Sequence, residues 1–172
     1  MKSATERSKT LLRHANRVVA IMREEIAAHG RLHELLGRQE ASVTAPGSEE
    51  FRDATIGLEA ELARAPHRVS KRTQALADLA EALGVARGAL TLSSAAERLG
   101  DDGAALALCR DELAACTEET RKRTLRVSAL VRLHREVTRE LLQVVLGAPE
   151  GEEKSVDGVW HQRREFFRER GT

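Results

Sequence analysis

The sequence predicts an all-α protein, an antiparallel bundle of three long helices. It consists of a coiled-coil-like hairpin plus a long final helix, with a short connecting helix and a flexible C-terminal tail. Three observations predict this. An apolar seam from Leu106 to Val144 repeats in alternating steps of three and four. Two earlier segments of similar length carry the same spacing. Turn-forming residues separate the segments.

The first helix is expected to start near Ser3, where Ser3 and Glu6 have capping-box spacing. Its stripe reads Leu12, Ala15, Val19, Met22, Ile26, His29, His33, Leu36. Gly30 and Gly37 weaken it without ending it, each by about 1 kcal/mol against Ala. The helix should fade near Glu40, and Ala41 to Gly47 reads as a turn.

A second helix begins near Ser48, with the stripe Phe51, Thr55, Leu58, Leu62, Ala65, Val69, Arg72, Leu76, Leu79, Leu83. Pro66 lies inside it and removes one backbone hydrogen bond. Because the spacing stays in phase across Pro66, one kinked helix is the simplest reading; two helices broken at Ala65 is the alternative. Gly84 suits a C-terminal cap. Val85 to Asp102 is a connector holding one or two helical turns, with Ser94 and Glu97 at capping-box spacing. Asp101 and Asp102 are placed to cap the last helix.

That helix carries the longest seam: Leu106, Cys109, Leu113, Cys116, Thr120, Arg123, Val127, Leu130, His134, Val137, Leu141, Val144. A 3.5-residue repeat keeps one stripe turned to a partner helix along the whole length, roughly 55–60 Å here. Gly147 and Pro149 should end it. Residues 1–149 thus read as the bundle and 150–172 as the tail. Glu150 to Gly158, with its carboxylates and glycines, reads as a linker. Beyond it stand three of the chain's four aromatic residues, Trp160, Phe166 and Phe167, among Arg163, Arg164, Arg168 and Arg170. This last stretch is suited to a short amphipathic helix.

Composition narrows the function. Charged residues make up 32% of the 172, yet net charge is only +1, which argues against a dedicated nucleic-acid binder. The run Arg121 to Arg135 holds six Arg or Lys and no carboxylate. It is either a solvated helix face or a contact patch for an acidic partner. No stretch approaches the ~18 apolar residues of a membrane span, and no secretory signal follows Met1. Cys109 and Cys116 are too far apart along one helix to bond to each other and read as small core residues in a reducing compartment. A cytoplasmic protein is expected.

No enzyme signature emerges. His29 and His33, with Glu25 one turn earlier, have the i, i+4 spacing of a zinc pair, but no His has Glu three residues before it, as bundle carboxylate sites require. The ordinary reading places both on the packing stripe, and neither metal nor cofactor is expected. His134 on the seam reads as a partly buried structural His. Thr120 and Arg123 read as a polar layer that fixes register or faces solvent. Trp and Arg are enriched where proteins grip one another. The tail is therefore either a partner-binding segment or a flap on its own bundle. Val156, Trp160, Arg163, Phe166 and Phe167 are the candidate contacts, with Val137, Leu141 and Val145 exposed near the base of the tail.

The segment Glu81-Ala82-Leu83-Gly84-Val85, then Leu90-Thr91-Leu92-Ser93-Ser94-Ala95-Ala96-Glu97-Arg98-Leu99, resembles the connector of the FlgN family of flagellar export chaperones. Leu106 to Gly147, ending Leu141-Leu142-Gln143-Val144-Val145-Leu146-Gly147, is similar to that family's long final helix, and Asp157-Gly158 to its tail. The resemblance covers residues ~8 to 147. The chain departs from it in Glu119, Thr120, Lys122 and Arg123, where relatives often carry Asn. It also departs in having no Tyr near Asp157-Gly158, and in the Pro46-Gly47 turn. The resemblance implies a chaperone that binds the terminal helices of hook–filament junction proteins and delivers them to the export gate. A generic coiled-coil scaffold or oligomerising protein is the alternative, and a metal-dependent bundle enzyme a more distant one.

Overall fold

A computed structural model describes residues 4–146, apart from the side chains of Ala4, Thr5 and Arg7. Every described element is helical: α1 (Ala4–Ala41), α2 (Glu49–Ala82), α3 (Leu92–Leu99), a 3₁₀ turn (Gly100–Gly103) and α4 (Ala104–Leu146). The three long helices and the short connecting helix are those the spacing predicts. The expected linker and tail lie outside the described residues.

Boundaries follow from local chemistry. Ser42 ends α1 by donating through both its N–H and its hydroxyl to the Arg38 carbonyl, at 3.1 and 2.7 Å. Ser48 opens α2, its hydroxyl accepting from the Phe51 N–H at 3.2 Å. At the far end, Gly84 takes φ +70°. The Val85 N–H then reaches the Ala80 carbonyl and the Gly84 N–H that of Glu81, a left-handed glycine cap as expected. The α3 cap differs from expectation. Thr91 and Ser94 form the capping box, one turn before the Ser94–Glu97 pair, because the helix starts at Leu92 and Ser94 is already its third residue.

Helix α2 runs unbroken through Pro66. Pro66 leaves the Leu62 carbonyl without its usual donor. In the same turn Arg68 donates to the Glu61 carbonyl at 3.0 Å, so a side chain supports the backbone there.

Side-chain pairs set the topology. Arg17 meets Asp78, Glu25 meets Arg72, Arg31 meets Glu61 and Gln39 meets Thr55. One number falls as the other rises, so α1 and α2 are antiparallel. His29 meets Thr117 and Thr120, and Glu40 meets Arg123. These numbers rise together, so α4 runs beside α1 in the same direction and returns against α2. The tightest helix–helix approach is α1 on α2. There Gly57 lies under Leu35; a Cβ at 57 would come within 2.7 Å of a Leu35 methyl.

The chain divides into two compact units, residues 1–134 and 135–172. The core of the first unit gathers Val18, Val19 and Met22 of α1, Ala75, Leu79 and Ala80 of α2, Leu90, Ala95 and Ala96 of the α3 region, and Leu106, Cys109 and Leu113 of α4. It is built of aliphatic and sulfur-bearing side chains, without an aromatic ring. Of the second unit, the described part is the end of α4, Arg135–Leu146.

Two stripes differ from the sequence reading. Leu12 is exposed and Leu11 packs on the core instead. In α2, Leu62 and Val69 face outwards, while Glu61 is buried and Arg68 half-buried one residue earlier. The apolar pattern misleads here because the inward positions carry mutually neutralising charges.

Candidate functional site

Two features stand out: the apolar end of α4 and a belt of charge inside the bundle. Up to His134 the α4 seam turns inwards as predicted. Leu106, Cys109, Leu113 and Val127 are buried, and Cys116, Thr120, Arg123, Leu130 and His134 half-buried. Past His134 the same repeat continues but its exposure reverses. Val137, Leu141 and Val144 are 44%, 60% and 81% exposed. Val145 is 78% exposed, and Leu133, Leu142 and Leu146 are exposed beside them. Val137, Leu141 and Val145 lie on the surface, as expected near the base of the tail, but Val137, Leu141 and Val144 are also seam positions that the spacing turned to a partner helix along the whole length, and there the structure corrects it. Val156, Trp160, Arg163, Phe166 and Phe167 lie outside the described residues. Leu133, Leu142 and Leu146 escaped that reading. Their signal is the run Leu141-Leu142-Gln143-Val144-Val145-Leu146, which is too apolar for one seam.

At about 100° per residue, the apolar side chains of residues 130–145 cover about half of the helix circumference. Leu133, Val144 and Val137 occupy one side of that arc, and Val145, Val131 and Leu142 the other with Thr138 among them; Leu130, Leu141 and His134 lie between, and Leu130, Val131 and His134 are half-buried. Glu136 and Glu140 border the first side; Arg135 and Arg139 border the second. Contiguous exposed apolar surface of this kind marks an interaction site more often than scattered single residues do.

The basic run that precedes this surface is largely neutralised from outside itself. Arg121 and Lys122 pair with Glu118, and Arg123 and Arg126 with Glu40. The Arg121 hydrogen bonds hold the Glu118 carboxyl down to about 2. Arg132 and Arg135 have no ion pair among the described residues.

The inner belt joins α1 to α2. Glu61 is buried and accepts from Arg31 at 2.9 Å, Arg68 at 3.1 Å and Arg64 at 3.2 Å. The Arg31 hydrogen bond, above all, holds its carboxyl below the usual range. Buried Glu25 is held through one oxygen by Arg72, while its Oε1 has no hydrogen-bond partner among the described residues. A buried carboxylate is tolerable only when paired in this way, and removing its partner is strongly destabilising.

His29 does a similar job between α1 and α4. Its Nδ1 lies 3.1 Å from the Thr120 hydroxyl and its Nε2 3.3 Å from that of Thr117. Burial lowers its pKa from 6.5, with Glu25 opposing and Arg68 assisting. The folded state therefore favours the neutral ring. Stability contributed by this site should be complete above pH 6.5 and decline as pH falls through the lowered folded value. Thermal melts of wild type and His29→Gln should diverge in pH dependence below 6.5, with the variant losing less on acidification. Parallel curves would refute the assignment. Among the described residues, no three His, Cys, Asp or Glu side chains converge as a metal-ligand set. Cys109 and Cys116 are free thiols. No described helix is long and apolar enough to cross a membrane.

No protein-family model matches the chain. Comparisons with curated proteins and with solved structures found no match either.

Proposed function

We propose that this protein is a cytoplasmic, non-enzymatic export chaperone. It holds the terminal helices of flagellar hook–filament junction proteins and passes them to the type III export apparatus. One observation carries the reading: the α4 seam leaves the bundle core and continues as an exposed apolar arc from Leu133 to Leu146. Terminal helices of a subunit that assembles by coiled-coil contacts lack partners before assembly. An amphipathic helix of that kind docks on an apolar helical face through its own i, i+3, i+4, i+7 residues. The connector and final-helix resemblance supplies the flagellar assignment. Val156, Trp160, Arg163, Phe166 and Phe167 are proposed as further contacts from the tail.

The test is capture of a purified hook–filament junction protein by the full chain and by L141E/L142E/V145E. All three positions are exposed, so helix content and melting should not change. Capture should weaken by roughly a hundredfold or more, as expected for loss of several central aliphatic contacts. Undiminished capture would sink the proposal. Removing residues 150–172 should also weaken capture while leaving the melt in place.

The continuing heptad spacing favours one other reading, a scaffold that oligomerises through the same arc. Sedimentation equilibrium distinguishes them: a stable dimer abolished by L141E/V145E supports the scaffold.

A further inference from the structure

The charge belt between α1 and α2 is unbalanced at Glu61. Arg31, Arg64 and Arg68 all donate to this one carboxylate, at 2.9, 3.2 and 3.1 Å. Among the described residues, no other carboxylate lies within ion-pair distance of the three side chains. Three guanidinium charges against one carboxylate leave an excess of two. Like charges held this close repel one another, and solvent screens them only in part. The excess is also within reach of solutes. The Glu61 side chain is 6% exposed, whereas those of Arg31 and Arg64 are 50% and 68% exposed. An arriving anion therefore meets guanidinium groups and not the carboxylate they cover.

We propose that Arg31 and Arg64 bind a phosphate-type dianion across the α1–α2 seam, with half-buried Arg68 adding its charge. Geometry, spare donors and charge each support this ligand. Arg31 Nε and Arg64 Nη1 donate to the same oxygen of Glu61, so these nitrogens are no more than about 6 Å apart. Two oxygens of one phosphate, each accepting at about 2.8 Å, bridge such a gap. Arg31 turns Nε and Nη2 to Glu61 and keeps Nη1 for another acceptor; Arg64 uses Nη1 and keeps Nε and Nη2. A phosphate group carries roughly −1.5 to −2 at neutral pH, which matches the excess. The surrounding stretch of α2 adds to the attraction. Residues 62–77 contain four Arg or Lys and no carboxylate. Arg64, His67, Arg68 and Lys71 stand at i, i+3, i+4 and i+7 on one helical face, and His67 and Lys71 are exposed there. The site lies within the first compact unit and uses no α4 residue, so it neither needs nor tests the chaperone reading.

An anion that ties Arg31 of α1 to Arg64 of α2 stabilises the hairpin. Melts of the full chain are compared in sodium phosphate and in sodium chloride of equal ionic strength, at about pH 8, where the phosphate is dianionic. The melting temperature should rise saturably with phosphate, by about 2 °C or more above the chloride series. In isothermal calorimetry, Arg64→Gln should bind phosphate about tenfold more weakly, the loss expected of one charge-assisted hydrogen bond. Arg64 is largely exposed, so this variant should keep its helix content. Arg64→Lys, which keeps the charge but not the fork, should fall between the two. O-phosphoserine in place of inorganic phosphate separates an esterified from a free source of the same group, and the tighter binder names the source. Equal melts in phosphate and chloride overturn the proposal. So does an Arg64→Gln protein that binds phosphate as tightly as wild type.

Discussion

Gly103→Ala should destabilise the protein by about 3 kcal/mol or more, the largest effect expected of any single methyl group here. A Cβ at this position would come within 2.2 Å of the Ala96 carbonyl oxygen and 2.9 Å of its Cα. These are backbone atoms, so no side-chain rotation relieves the clash. Relief requires α3 to shift away from the start of α4, and Ala95, Ala96 and Leu106 at that junction belong to the core. Two other glycines calibrate the result. Gly30 has nothing within 4 Å of an added Cβ and lies inside α1, so Gly30→Ala should stabilise by about 1 kcal/mol through helix propensity alone. Gly37 meets only the mobile end of Arg123, so Gly37→Ala should sit between the two. Urea unfolding followed by circular dichroism gives all three values. A Gly103→Ala protein as stable as wild type would refute the close contact.

Leu79→Ala is expected to lose 2–5 kcal/mol, about the range for emptying a well-packed leucine site. Leu79 is fully buried where α2 meets α1, α3 and α4. Leu62→Ala, on the same helix, should change stability by no more than about 0.5 kcal/mol, because Leu62 is 58% exposed. The two leucines belong to one apolar spacing in the sequence and can be told apart only by what faces them. Equal losses in the two variants would mean that the α2 register is wrong.

This pair shows what the amino-acid pattern carries and what it does not. The α4 seam was legible as far as Leu130 because its inward residues are mainly aliphatic and their 3–4 spacing keeps step with the helix. Gly84 was legible as a cap because a left-handed residue after a helix favours glycine. The middle of α2 was not legible. Glu61 and Arg68 turn inwards there, and charge at a core position makes sense only once Arg31 is known to approach from α1. The Thr91 cap was passed over for Ser94–Glu97 because both pairs have the same spacing and only the helix start separates them. The exposed arc was half visible. Val137, Leu141 and Val145 could be named as surface residues, but the seam alone cannot say where core ends and surface begins. That boundary depends on which side chains stand opposite α4.

The order of the helices also has a kinetic consequence. Only Ser42–Ser48 separates α1 from α2, so their pairing closes a short loop. The partners that fasten α4 to α1 are 83 to 91 residues apart, as in Arg123–Glu40 and His29–Thr120. Local pairing is entropically easier and faster. The hairpin should therefore be present in the folding transition state, with α4 docking afterwards. Substitutions such as Leu113→Ala should mainly accelerate unfolding, whereas Ala54→Gly in the hairpin should slow refolding. On a translating ribosome the hairpin would emerge complete while the helix that seals it is still being made.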